Sequence, residues 1–290
     1  MVRERFHAMG TTVELLIDAG DGPLARVATA AARAEFARLE ALLSRFLPHS
    51  ELSRLNRARR MRVGPDLLRV VQAALRLRRR TGGRFDPTVG AAVAAAGYDR
   101  TWEEVADDPR PPAAAPARGA VALDATAGWI ALGPGAVLDL GAIAKGDAAD
   151  RACALMAAAG PCLVSAGGDV AVSGPRADGG AWDVAVAHGG GSLTLGLSRG
   201  GLATSGIDRR RWRRGGAEAH HEIDPASGRP AATDLLRATA VAATAAEADA
   251  LATALLVAGR DGAAGLAGRW GVPAALVARD GTLTTAGGLA

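Results

Sequence analysis

The sequence predicts an α+β protein, on three observations. Residues 24–43 and 66–80 carry apolar side chains at helical spacing with charged residues between them, the mark of amphipathic helices. Residues 162–197 read instead as short strands separated by glycine-containing turns. Both patterns then recur, as a helix over 246–258 and a hairpin over 274–285 turning at Asp280-Gly281.

The chain of 290 residues is long enough for one large domain or two intimate ones. Hydrophobic residues make up 49% and charged residues 22%, an ordinary globular balance, but aromatics are only 3%, so the core must be built from Ala, Leu and Val. The formal net charge is +4, and the arginines are scattered apart from a cluster at Arg209, Arg210, Arg211, Arg213 and Arg214. A nucleic-acid reader would carry a wider basic stripe or a binding motif. Neither is present, so no nucleic-acid partner is expected. Cys153 and Cys162 lie in or beside apolar stretches and read as buried, reduced thiols. No apolar run is long enough to predict a membrane segment, and MVRERFHAMG lacks the apolar core of a signal peptide. The expected compartment is cytoplasmic.

Taken in order, residues 11–17 predict a strand after Met9-Gly10. The helix over 24–43 leads into a loop at 44–50, and Ser50-Glu51 starts a short helix ending at Asn56. Asn56, the only asparagine, reads either as the cap of that helix or as a residue near a ligand. The helix over 66–80 stops at Thr81-Gly82-Gly83, and Asp86-Pro87 imposes an extended or turn geometry. So dense a set of Thr, Gly, Phe, Asp and Pro reads as a ligand loop. After a short helix over 91–97, the Pro/Ala-rich residues 107–119 predict an exposed connector, and 121–123 with 129–132 a hairpin.

The chain is organised around residues 137–150, VLDLGAIAKGDAAD. Lys145 is the only lysine; the other 33 of the 34 basic residues are arginine. The two are not interchangeable where a compact point charge is needed. Val137, Leu138 and Leu140 read as the end of a buried strand, Gly141 and Gly146 as a turn, and 148–156 as a helix. A strand, turn and helix in succession can present backbone groups to phosphates, and Asp139 sets a carboxylate beside the turn. The pattern is neither GxxxxGK[ST] nor GxGxxG.

Further on, residues 162–172 predict a strand interrupted by Gly167-Gly168-Asp169. His220-His221-Glu222-Ile223-Asp224-Pro225 is the densest polar cluster and lacks a zinc-site spacing. Within the helix over 246–258, Asp249 and Thr253 stand at i and i+4, on one face. Two hard oxygens beside another oxygen source suit Mg²⁺, and a carboxylate within ALATALLVA needs a partner.

Five stretches, MGTT, TGGRFDPTVG, LDLGAIAKGDAAD, HEIDPASGRP and ADALATAL, resemble in order and spacing the FAD:protein FMN transferase (ApbE) family. LVSAGGDV and ATSGIDRR fit the same pattern, and the resemblance runs from Met9 to Gly259. It implies a single ApbE-like unit over 1–290, a two-part α+β fold whose intimately packed subdomains hold FAD in a central cleft. It implies Mg²⁺-assisted cleavage of FAD, with FMN joined as a phosphoester to a Thr or Ser of an acceptor flavoprotein and AMP released. By position, Met9, Phe46, Arg84, Phe85, Asp86, Asp139, Lys145 and Ile223 fall where the family contacts FAD. Ala142, through its carbonyl, Asp249 and Thr253 fall on the metal positions. His221 falls on the histidine credited with the chemistry, and Asp249 is the second catalytic candidate. Two departures stand out: Phe46 where the family often has tyrosine, and Glu222 where it tends to have an apolar residue. Two other readings are an FAD pyrophosphatase giving FMN and AMP, and a non-catalytic FAD-binding protein.

Overall fold

In the computed structural model, which describes residues 1–289, one antiparallel sheet of eight strands runs through the molecule. Its strands are Val2–Ala8, Thr11–Ile17, Cys162–Ala166, Asp169–Val172, Gly200–Gly206, Leu235–Ala242, Ala274–Ala278 and Leu283–Ala286, and they lie side by side in sequence order. The longest excursion, between Ile17 and Cys162, holds the helices α1 (Pro23–Leu43), α2 (Glu51–Ala58), α3 (Pro65–Arg80), α4 (Gly90–Ala95) and α5 (Ala144–Met156). It also holds a small sheet of Arg60–Arg62, Trp129–Leu132 and Val121–Asp124. The last helix, α6 (Ala245–Trp270), fills the connection between Leu235–Ala242 and Ala274–Ala278.

Strand alternation puts two cores on the two faces of this sheet. Val13, Leu15, Ile17, Cys162, Val164 and Ala166 pack beneath α1 and α5. Leu163, Val172 and Leu202 face the other way, against Trp182, Val186, Leu195 and Leu197 of the hairpin Trp182–His188/Gly191–Leu197. α5 lies against α1 and α6, and α6 crosses Gly200–Gly206 and Leu235–Ala242. Two glycines allow that closeness. A Cβ on Gly146 would lie 2.5 Å from the backbone carbonyl of Ala245, and one on Gly201 would lie 2.2 Å from the Ala245 nitrogen. The start of α6 is capped from α5: Asp150 accepts from the backbone N–H of Ala245 at 2.8 Å and of Ala246 at 3.0 Å.

Several expectations change here. Val137, Leu138 and Leu140 do not end a strand. They lie in an extended segment pinned at Gly90 N–H to Val137 O, 2.9 Å, and Asp139 N–H to Pro87 O, 2.8 Å. Asn56 neither ends α2 nor lines the cavity. Its amide donates to Leu138 O and accepts from Leu138 N–H, both at 2.8 Å, so it clamps that segment. Gly146 is inside α5, where the close approach to Ala245 demands it, rather than in a turn. Gly167 and Gly168 do not interrupt one strand; at φ of 68° and 109° they reverse the backbone between two paired strands. Val2–Ala8 and Arg60–Arg62 form strands that the sequence did not announce, because their alternation is mostly among charged residues. α6 runs on past residue 258, through a kink at Gly259 (φ 71°), to Trp270. Gly262, Gly265 and Gly268 weaken that second leg locally, and packing of buried Ala263, Leu266 and Ala267 holds it. By length and composition α6 could cross a membrane, but its first leg is buried against the sheet and α5.

Candidate functional site

A cavity of about 730 Å³ opens where the sheet, the 84–86 loop, the N-terminus of α5 and the 205–225 excursion converge. All twelve residues singled out by the sequence line it: Met9, Phe46, Arg84, Phe85, Asp86, Asp139, Ala142, Lys145, His221, Ile223, Asp249 and Thr253.

At its floor, α5, α6 and the Gly167–Gly168 turn bring three charges together. Lys145 Nζ lies 2.8 Å from Asp169 Oδ2 and 3.2 Å from Asp249 Oδ2, and donates to Gly141 O at 3.0 Å. Burial works against the ammonium, but the two carboxylates outweigh it and hold Lys145 above the ordinary lysine value. Burial, reinforced by Asp169, raises the Asp249 carboxyl well above the usual range, against the pull of Lys145. Thr253, one turn on along α6, shares a 2.8 Å hydrogen bond with Ser205 on the neighbouring strand. The donors gathered here are a carboxylate, hydroxyls and backbone carbonyls, all hard oxygens, and a cationic ammonium already bridges part of the set.

Asp139 accepts from Gly141 N–H at 2.7 Å and pairs with Arg45 Nε at 2.8 Å, which fixes the loop entering α5. Asp86 is 3% exposed: Oδ1 accepts from the Thr88 hydroxyl and N–H, and Oδ2 pairs with Arg78 Nε at 2.9 Å. Met9 sits at φ 53° in the two-residue turn before Thr11–Ile17, a left-handed conformation that costs a non-glycine residue about 1–3 kcal/mol.

The opposite wall is aromatic. Tyr98, the only tyrosine, has ring centroids of Phe46 at 5.4 Å, Trp212 at 5.9 Å and His221 at 6.1 Å around it. The Arg45 guanidinium lies 4.1 Å over Phe46 and 4.8 Å over Tyr98. Arg210 joins them, bound to Gly10 O at 2.9 Å. Burial, then Arg210, His220 and Lys145, hold the His221 imidazole down to about 3, so it is neutral near pH 7. Its Nε2 lies 3.3 Å from Glu222 Oε1.

Sequence reasoning did not select Arg45, Tyr98, Asp169, Arg210 or Glu222 for this site. Asp169 follows two glycines and Arg210 lies in the arginine cluster, so both carried a signal. Arg45 and Tyr98 carried none, because they come to the site from segments distant in sequence.

Fold and cavity together define an α+β protein with a deep cleft suited to a ligand that is both flat and anionic. The ApbE family profile matches residues 9–276, and the chain belongs to the ApbE family. An FAD:protein FMN transferase of Rhodobacter capsulatus is 34% identical over 301 residues, covering 97% of this chain and 56% of that protein, so the chain spans little more than half that relative's length. One of Salmonella typhimurium is 31% identical over 257 residues, covering 83% of this chain and 73% of that protein. Among solved structures, the ApbE protein of Thermotoga maritima superposes with a TM-score of 0.88 at 28% identity, over 98% of this chain and 96% of that one. The apo flavinyl transferase ApbE of Pseudomonas stutzeri gives 0.85 at 26% identity, over 98% and 95%.

Proposed function

We propose that this protein is an FAD:protein FMN transferase. It moves FMN from FAD to a Thr or Ser hydroxyl of an acceptor flavoprotein, with Mg²⁺ bound and AMP released. The observation that carries this reading is one cavity joining an oxygen-rich floor that holds the Lys145 ammonium to an aromatic wall with a neutral histidine. A dinucleotide with a flat ring and a pyrophosphate matches both halves.

Each residue then has work to do. Phe46 and Tyr98 offer stacking surfaces for a flat ring. Lys145, Arg84 and Arg210 supply positive charge for the pyrophosphate. Asp249, Thr253 and the Ala142 carbonyl would hold Mg²⁺. Bound there, the ion would neutralise phosphoryl charge and orient the groups. His221, uncharged near pH 7, takes the proton of the attacking hydroxyl as the new phosphorus–oxygen bond forms and the bond to AMP breaks; such base catalysis contributes about 10²–10⁴-fold.

The test uses the purified protein with FAD and Mg²⁺, with and without an acceptor flavoprotein subunit. The expected result is a gain of one FMN in acceptor mass with AMP released in step, and loss of both in Asp249→Ala. AMP without acceptor modification would favour the pyrophosphatase. FAD binding with no AMP under any condition would favour the non-catalytic binding protein.

A further inference from the structure

Val184, Ala185, Val186 and Ala187 follow one another in a strand, and all four line the cavity. Side chains of a strand alternate between two faces, so an unbroken run along a cavity presents its backbone edge to it. The strand Trp182–His188 pairs only with Gly191–Leu197 among the described residues, and its other edge is open.

The register decides which groups that edge offers. The hairpin closes at the pair His188–Gly191 over the turn Gly189-Gly190. His188, Val186 and Val184 therefore turn their backbone groups toward the partner strand, and Ala187, Ala185 and Asp183 turn theirs outward. A contact from outside the hairpin has the same phase: Arg237 Nη1 donates to Ala187 O at 3.1 Å. The Ala187 N–H and both backbone groups of Ala185 have no partner among the described residues. Native sheets blunt such edges with a charge, a proline or a bulge. The run VAVA carries no charge or proline, and its register has no shift. Arg237 also pairs through Nε with Asp208 Oδ2 at 3.1 Å, which ties the edge to the start of the arginine cluster. The next residue, Arg209, is exposed at the cavity and has no ion-pair or hydrogen-bond partner among the described residues.

We propose that this edge docks the acceptor: an extended segment of the acceptor flavoprotein adds as a further strand along Val184–Ala187, with an acidic side chain beside Arg209, and so brings its hydroxyl into the cavity that holds His221. This rests on the transferase reading above, which requires a protein hydroxyl to enter the cavity. Main-chain hydrogen bonds give an added strand its affinity, and its alternate side chains give selectivity. Alanine at 185 and 187 leaves space beside the outward groups, and the unpaired Arg209 cation complements an acidic segment.

The test uses the full chain, with the acceptor subunit and a synthetic peptide spanning its modified hydroxyl as probes. Ala185→Pro removes an outward N–H and leaves the hairpin's own bonds intact, since an edge tolerates proline. Thr194→Pro is the control: Thr194 faces Ala185 in the register, its N–H points to the opposite edge, and it does not line the cavity. Ala185→Pro is expected to raise the acceptor KM about tenfold, with kcat and FAD affinity within about twofold of wild type. Arg209→Glu is expected to raise the same KM about tenfold, and Thr194→Pro less than about twofold. Without FAD, either probe is expected to slow hydrogen exchange at the Ala185 and Ala187 amides of wild type, a measurement that stands even if the proline variant does not fold. An acceptor KM within about twofold of wild type in Ala185→Pro or Arg209→Glu, an equal rise in Thr194→Pro, or unchanged exchange overturns the proposal. Protection of these amides by raised protein concentration alone assigns the edge to a second copy and also overturns it. Wild type that transfers no FMN overturns the transferase reading and the docking with it; normal transfer by Ala185→Pro overturns the docking alone.

Discussion

Lys145 Nζ lies 3.2 Å from Asp249 Oδ2, so the single lysine of the protein shares a carboxylate with the candidate metal site. Its other partners are Asp169 Oδ2 at 2.8 Å and Gly141 O at 3.0 Å, and a compact ammonium with three rotatable donors suits three acceptors around one point. A planar guanidinium is larger and holds its donors in a fixed fork. Lys145→Arg is expected to lower AMP release by at least ~10-fold, equivalent to ~1.4 kcal/mol, and to weaken FAD binding. Titration with FAD and a stopped assay for AMP check this. Activity within about twofold of wild type would remove the geometric argument for lysine.

Asp150 governs the helix that carries Asp249 and Thr253. Losing its two hydrogen bonds to Ala245 and Ala246 leaves two helix N–H groups unpaired. Asp150→Ala is expected to cost about 1–2 kcal/mol of stability, as other cap losses do. It should also weaken the proposed Mg²⁺ binding, because Asp249 and Thr253, the residues proposed to hold the ion, ride on that helix. Chemical denaturation gives the first number and a Mg²⁺-induced thermal shift the second. A stability loss with unchanged Mg²⁺ response would limit Asp150 to a structural role.

Gly146→Ala sets two effects against each other. Alanine gains about 1 kcal/mol of helix propensity over glycine. Its Cβ, however, would lie 2.5 Å from backbone atoms of Ala245, which Asp150 holds in place, and overpacking of that kind costs about 1–3 kcal/mol. The collision should win, so the melting temperature falls by calorimetry. A rise would mean that α6 can move aside freely.

Glu35 sets an acid limit on stability. It lies on α1 between Arg38, at 2.7 Å, and Arg151 of α5, and the Arg38 hydrogen bonds, against burial and with help from Arg151, lower its carboxyl from 4.5 to about 2. The folded protein therefore gives up this proton more readily than the unfolded one. The stabilisation is present above pH 4.5 and is lost as pH falls toward 2. Glu35→Gln is expected to be less stable than wild type at about pH 7 and to lose less on acidification across that window, measured by urea denaturation at several pH values. Parallel pH profiles would show that Glu35 contributes no linkage.

Some of this was written in the residues. Helical periodicity announced α1, α3 and the first leg of α6, because one face of each packs on the core and the repeat records it. Asp249 and Thr253 could be paired from their spacing, since i and i+4 share a face in any helix. The lone lysine among arginines marked the floor of the cavity, because a substitution bias exposes the one position that resists it. What the tertiary structure decided is which distant segments meet. Arg45, Tyr98 and Arg210 form one wall only after separate connections fold over the sheet. Lys145, Asp169 and Asp249 form one cluster only because Gly146 and Gly201 let α5, α6 and a strand approach until their backbones touch. Asn56 became a clamp on Leu138 across 82 residues, a pairing that no local pattern encodes. Local periodicity reports which face of an element is buried. Which elements bury one another depends on long-range packing, and the charges of this site acquire their partners there.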